Sequence, residues 1–171
     1  MLKHPDITKR RIDSFVVHEL EAKLVSDREP LVIEKREGEA TDASAAAKGP
    51  WKSVGSGYQY GPAYTTHWFR VSGEVPKRFE GTEVQVIADI GGEKTVWRDG
   101  VPIFGLDGKH AGLKWEKDWG SKIELLIESV TTNPQHRVHI RELPREAVVE
   151  TVVGAEVVAF DRDLAGLWYD V

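Results

Sequence analysis

The chain has 171 residues, a net charge of −5 and no cysteine. This length fits one domain with a real core. The acidic and basic residues are interleaved and form no basic patch, which argues against a nucleic-acid surface. The lack of cysteine excludes disulfides and thiolate metal sites. No stretch has the apolar core of a signal peptide or the length of a membrane span, so we expect a soluble, cytoplasmic protein.

The first element that the pattern predicts is a helix over residues 6–24. Its apolar residues recur at helical spacing and form one stripe: Ile12, Phe15, Val16, Leu20 and Leu24. Asp6 or Thr8 is expected to cap its start. We expect residues 1–28 to be a surface helix and linker that pack on a sandwich formed by residues 29–171, within a single domain.

The segment after the helix predicts a short strand at 31–36 and then a long surface loop over 37–56, anchored by Trp51. A Gly-rich stretch follows, with aromatic residues at Tyr58, Tyr60 and Tyr64. Two interpretations stay open for this cluster. It could stack on a sugar ring, or it could cap one end of a β-sandwich, and the sequence favours the cap.

The centre of the chain, residues 64–104, predicts an antiparallel meander. Strands are expected at 66–71 and 84–90, both with apolar residues on both faces, as in a strand that has neighbours on two sides. Asp99-Gly100 separates two further strands, 94–98 and 101–104. Asp-Gly between β-forming residues predicts a type I′ hairpin turn, in which both central residues need φ > 0.

The last third of the chain begins with a second Gly-rich loop, 105–120, that carries Trp115 and Trp119. Strands are predicted at 122–130 and 137–143. Residues 148–153 and 156–160 are expected to form a strand pair or one strand broken at Gly154, and 161–169 a short helical turn. The sum is eight or nine short strands after one helix, which indicates an all-β sandwich or barrel.

No nucleophile elbow, zincin motif or phosphate-binding loop occurs in the chain. Asp107 and His110 share one loop and could bind a metal or a sugar hydroxyl, but metal sites usually need three or four protein ligands. With 28 acidic residues, no single carboxylate pair is informative about glycoside hydrolysis. We therefore predict no catalytic residue, no metal and no cofactor in this chain.

A family resemblance covers nearly the whole chain. It is carried by W-F-R at 68–70, by the run from V-I-A-D-I-G-G-E to W-R-D-G-V-P at 86–102, by G-L-D-G-K-H at 105–110, and by both ends. These segments resemble the N-terminal domain of glycoside hydrolase family 38 α-mannosidases of the cytosolic/vacuolar type. Around Tyr60-Gly61-Pro62 the chain departs from that pattern, since the family tends to have Trp-Gly before the proline.

The resemblance implies a galactose-binding-like jelly-roll β-sandwich with an N-terminal α-helix, which precedes a catalytic domain in the whole enzyme. It also implies that the zinc ligands and the nucleophilic aspartate lie in that other domain. The expected function is a non-catalytic accessory domain with a structural or assembly role that helps to shape the glycan site. Its expected partners are the catalytic domain of the same enzyme, a mannose-containing glycan and further copies of the chain.

Two alternatives stay open beside this expectation. The chain could be a free-standing carbohydrate-binding module, because several aromatic residues lie on loops. An independent hydrolase that uses Asp107 with another acid is the least favoured. The candidate carbohydrate contacts are Asp107, His110, Trp115, Trp119, Tyr58 and Tyr60.

Overall fold

The computed structural model describes residues 4–108, 110, 112–132 and 145–164. The strands in this part of the chain are β1 (Val25–Pro30), β2 (Val32–Arg36), β3 (Trp51–Val54), β4 (Gln59–Tyr60), β5 (Thr66–Glu74), β6 (Glu83–Asp89), β7 (Glu93–Arg98), β8 (Val101–Leu106), β9 (Gly112–Lys114), β10 (Lys122–Val130), β11 (Glu150–Thr151) and β12 (Gly154–Phe160). The helices are α1 (Pro5–Phe15), a π-helical segment (Val16–Leu20), α2 (Glu21–Leu24) and α3 (Ala43–Ala47). Short 3₁₀ turns lie at Lys77–Phe79, Lys117–Trp119 and Arg145–Ala147.

Two antiparallel sheets form the body of the protein. The larger has the strand order β3-β2-β5-β10-β7-β8 and the smaller β1-β12-β6-β9, while β4 and β11 form a separate two-stranded ribbon. The chain passes from one sheet to the other several times, for example from β5 in the larger sheet to β6 in the smaller and back to β7. These crossings are typical of a β-sandwich and confirm the predicted all-β class.

The main core lies between the sheets. In β10, Ile123, Leu125 and Ile127 alternate inward and are at most 2% exposed, and Phe69 of β5 is 0% exposed. Val157 of β12 meets them in the same buried cluster. Full burial of such a side chain contributes about 1.5–3 kcal/mol of transfer free energy, so the period-2 pattern of these strands fixes which face is buried.

The predicted hairpin is confirmed. Asp99 has φ 51° and Gly100 has φ 78°, as a type I′ turn requires. Beyond the turn, the β7–β8 register shifts between Val96 and Trp97, which marks a β-bulge. The hairpin therefore places Arg98 at the end of β7 next to the turn.

The segment predicted as a loop, 37–56, contains α3 and β3, so that prediction is wrong for these residues. Asp42 caps α3, because its Oδ1 accepts the backbone N–H of Ala45 at 2.9 Å. Ala43 and Ala46 of this helix form a second buried cluster with Trp68, which points away from the main core. A five-residue helix is too short to be stable alone, so the contact with Trp68 explains why sequence pattern missed it.

The N-terminal helix is present, but its N-cap differs from expectation. The residue at its N-cap is His4, which makes no capping side-chain bond, while the expected caps Asp6 and Thr8 lie inside the helix. Ile12 and Phe15 of the predicted apolar stripe are 40% and 47% exposed, whereas Val16 and Leu24 are half-buried, so the packing of the helix on the sandwich stays a prediction. In the described part of the chain, no helix is long and apolar enough to cross a membrane.

Residues 25–28, predicted as linker, belong to β1 (Val25–Pro30), which pairs with β12. The sandwich therefore begins at Val25. Near the other end, two separate strands form, β11 and β12, so residues 148–160 are not one broken strand. The alternative strand pair is also wrong, because β11 pairs with β4 and β12 pairs with β1 and β6. The predicted strand 137–143 lies outside the described residues. Of the helical turn predicted at 161–169, residues 162–164 are helical, and residues 165–169 lie outside the described residues.

Candidate functional site

Trp115 and Trp119 lie together, but Trp115 is part of the core. Its side chain is 5% exposed, its Nε1 donates to the carbonyl of Gly120 at 2.8 Å, and it meets the Trp119 ring edge-on at 5.0 Å. The guanidinium of Arg98 lies 4.9 Å from the centre of the Trp119 ring and 5.9 Å from that of Trp115, a cation–π arrangement. Little of the Trp115 ring is therefore open to a ligand, and its contact with a sugar stays a prediction. Trp119 is half-buried beside it.

A large groove of about 1130 Å³ opens next to Trp115. Its floor includes Trp115 and Phe79, and its rim carries four basic and four acidic residues: Lys77, Lys114, Lys117 and Arg162, with Glu80, Glu83, Glu116 and Asp118. Two ion pairs form among these residues. Lys114 Nζ lies 3.4 Å from Glu116 Oε1, and Arg162 Nε lies 3.8 Å from Glu83 Oε2. The rim charges therefore offset one another and create no strong field of either sign.

Asp107 and His110 bind each other in the turn after β8. The Oδ1 atom of Asp107 accepts the backbone N–H of His110 at 2.7 Å and lies 3.1 Å from His110 Nδ1. The backbone N–H of Asp107 also donates to the His110 carbonyl at 3.2 Å. The described residues bring no group of three His, Asp or Glu side chains together that could hold a metal ion. The hydrogen bonds between Asp107 and His110 thus close the turn.

Tyr60 is also a core residue. Its ring is 5% exposed and lies between His67 and Phe69, with ring centres 4.9 and 5.0 Å away. Its hydroxyl donates to the carbonyl of Ile90 at 2.7 Å and lies 2.8 Å from Ser129 Oγ. Burial raises the pKa of this hydroxyl. These bonds tie β4 to both β10 and the turn before β7 and leave little of the Tyr60 ring open, so its contact with a sugar stays a prediction.

Tyr58 lies at the edge of a second groove, which we call the β4 groove. It is half-buried and packs against the main core. The β4 groove has a volume of about 560 Å³ and is lined by Lys35, Tyr58, Gln59, Tyr60, Gly61, Pro62, His67, Glu146 and Val149. Tyr58 is thus the one member of the candidate set that is both partly exposed and beside this groove.

Two residues of the β4 groove, Lys35 and His67, were not among the candidates. Burial lowers the pKa of Lys35, and its Nζ donates to the carbonyl of Arg36 at 3.2 Å. Burial, with a contribution from the Lys35 charge, lowers the pKa of His67 to about 4, and its Nε2 lies 2.8 Å from Thr65 Oγ1. A signal for His67 was available, because it shares the inward face of β5 with Phe69 and Val71.

The low pKa of His67 predicts a loss of stability on mild acidification. The unfolded chain binds a proton as the pH falls through about 6.5, while the folded chain stays neutral until about pH 4. Stability should therefore fall as the pH falls from 7 to 5, by about 1–2 kcal/mol for this half-buried group. Urea unfolding of wild type and His67→Gln at both pH values checks this. Equal losses in the two proteins would contradict it.

The six candidate residues do not form one site. Tyr58 and Tyr60 line the β4 groove, Trp115 lines the other groove, and Asp107 and His110 line neither. Trp119 packs against Trp115 and under Arg98. Tyr58 and Trp119 are both half-buried, and of these two only Tyr58 lines one of the two grooves, where it has polar neighbours.

Comparison with known proteins finds similarity to α-mannosidases. A family model described as alpha-mannosidase, jelly roll domain, matches residues 29–150. Alpha-mannosidase G of Dictyostelium discoideum is 29% identical over 117 residues, which covers 63% of this chain and 11% of that protein. Alpha-mannosidase 2C1 of Homo sapiens is 44% identical over 50 residues, or 29% of this chain and 5% of that protein. The aligned part of the chain is thus a small share of the length of these relatives.

A solved structure of a calcium-binding mutant of β-glucuronidase 2 from Bacteroides uniformis has a TM-score of 0.49 and 14% identity to the chain. The match covers 78% of this chain and 18% of that one. The family match, together with the two antiparallel sheets, confirms the predicted jelly-roll β-sandwich.

Proposed function

The chain belongs to the jelly-roll domain family of α-mannosidases, and from this we propose that it is a non-catalytic accessory domain of a longer α-mannosidase. Its role is structural: it supports the catalytic domain of the same polypeptide and helps to shape the approach to the glycan site. The relatives support this, because the chain aligns with only 11% and 5% of their lengths.

One observation carries the proposal. Tyr60 and Trp115, two of the aromatic residues that the sequence pattern assigned to loops, belong to the main core and are each 5% exposed. Their polar atoms bond to backbone carbonyls, Tyr60 to Ile90 and Trp115 to Gly120. Residues bound in this way stabilise the sandwich and its end loops, which suits a domain whose task is to hold its shape.

In the proposed enzyme, the zinc chemistry belongs to the catalytic domain, and the whole protein lies in the cytoplasm. A chain without cysteine is suited to a reducing compartment. Further copies of the chain are possible partners in the same assembly, and nucleic acid and membranes are not, in keeping with the interleaved charges.

We expect that the purified chain does not hydrolyse an aryl α-mannoside faster than buffer alone. The reason is that the proposed catalytic domain, and not this chain, carries the zinc ligands and the nucleophilic aspartate. The control is the same preparation with Glu146→Gln, an exposed change in the β4 groove. Turnover by the wild-type chain that disappears in this variant would overturn the proposal. Turnover that persists in both and keeps a constant specific activity through repurification would overturn the proposal as well, whereas turnover that repurification removes comes from a contaminating enzyme.

A further inference from the structure

We propose that the β4 groove binds one neutral hexose unit of a glycan. This site goes beyond the accessory role and does not depend on it, since it is formed by the chain's own residues. Its volume of about 560 Å³ falls within the range of roughly 300–1,000 Å³ that is usual for small-ligand sites.

The apolar part of the lining suits the C–H face of a sugar ring. Tyr58 contributes a partly exposed aromatic ring, and Pro62 and Val149 contribute aliphatic surface. Val149 is 49% exposed although it is a large apolar residue. A ring that lies over Tyr58 would cover this surface and remove it from water.

The polar part of the lining suits hydroxyl groups, which both donate and accept hydrogen bonds. Gln59 offers an amide that does both, Lys35 offers donors, and Glu146 offers acceptors. The bond from Lys35 Nζ to the Arg36 carbonyl uses one of its three donors. Among the described residues, Lys35 forms no salt bridge, so its ammonium group is not already held by a carboxylate.

The charge of the lining favours a neutral ligand. Lys35 contributes one positive charge and Glu146 one negative charge, and His67 is neutral at pH 7 because its pKa is about 4. An anionic or cationic sugar would meet one favourable and one unfavourable charge, with an added cost of desolvation. A neutral hexose avoids that cost and can still use both groups as hydrogen-bond partners.

The wall of the groove is held in place by contacts on its far side. The backbone N–H of Ala63 donates to the Arg145 carbonyl at 3.1 Å, and Arg145 Nε donates back to the Ala63 carbonyl at 3.0 Å. Thr65 Oγ1 donates to the Pro62 carbonyl. A wall that is already ordered loses little conformational entropy when a ligand binds.

The test is a titration of the purified chain with methyl α-mannoside, followed by amide NMR. Shifts are expected at residues 58–61, 67 and 146–149. Tyr58→Ala, Lys35→Met and Glu146→Gln should each raise the Kd about tenfold, the effect of losing one charged hydrogen bond or ring contact. Phe104→Ala, on the edge strand β8 and outside the groove, should leave the Kd unchanged.

Two further sugars test the charge argument. Glucuronate and glucosamine should both bind more weakly than the neutral glycoside. Tighter binding of either would overturn the neutral-ligand assignment. The absence of any shift at tens of millimolar methyl α-mannoside, or shifts around Trp115 instead, would overturn the site itself. None of these results bears on the accessory role, which is tested by activity and stability.

Discussion

Phe69→Ala is expected to lower the free energy of unfolding by about 3–5 kcal/mol. Phe69 is 0% exposed at the centre of the larger sheet, where it lies opposite Lys35 of β2 and Ile127 of β10. Its ring also contacts Tyr60 at 5.0 Å. Strands on both sides hold the backbone around it, so the cavity left by alanine cannot collapse easily. Chemical denaturation followed by tryptophan fluorescence measures the change.

The matched control is Phe104→Ala. Phe104 lies on the edge strand β8 and is 43% exposed, so the same truncation should cost about 1 kcal/mol or less. Similar losses for the two variants would contradict the assignment of Phe69 to the centre of the core.

Gly92→Ala should destabilise the protein by about 3 kcal/mol, for two separate reasons. Gly92 has φ +66°, which an alanine adopts only with strain, of order 1–3 kcal/mol. A Cβ atom there would also lie 2.6 Å from Ser129 Oγ and 2.6 Å from the carbonyl oxygen of Val130. That carbonyl belongs to β10, which pairs with strands on both sides and cannot move away. Thermal and urea unfolding give the measurement.

Gly57→Ala separates the two causes. Gly57 also has a positive φ, +85°, but no atom lies within 4 Å of the position of a new Cβ. Only the backbone strain remains, so we expect a loss of about 1 kcal/mol. If Gly57→Ala were as damaging as Gly92→Ala, the clash with β10 would not be the reason for the larger effect.

Local features of the fold were predictable, and features that depend on distant partners were not. Asp99-Gly100 specifies its own turn, so the hairpin could be found from four residues. The strand β1 reads as VSDREP, which has little apolar character, and it becomes a strand because β12 pairs with it about 130 residues later in the chain. Likewise α3 depends on burial against Trp68.

The candidate site was harder to predict for the same reason. Tyr58 and Tyr60 are two residues apart in one Gly-rich stretch, and sequence pattern treats them alike. The structure buries Tyr60 through its bonds to Ile90 and Ser129, whereas Tyr58 stays partly open beside the β4 groove. Which of the two tyrosines is buried in the core depends on strands that lie far along the chain. A local sequence pattern carries no information about those strands.

The central claim, a structural accessory role, is tested most directly in an α-mannosidase that carries this domain. The measurement is the KM at low temperature and the temperature of half-inactivation for wild type, Gly57→Ala and Gly92→Ala. We predict an unchanged KM in all three and an inactivation temperature that falls in that order, by about 2–4 °C for each kcal/mol lost. A changed KM in a folded variant, or inactivation temperatures that do not follow domain stability, would contradict the claim.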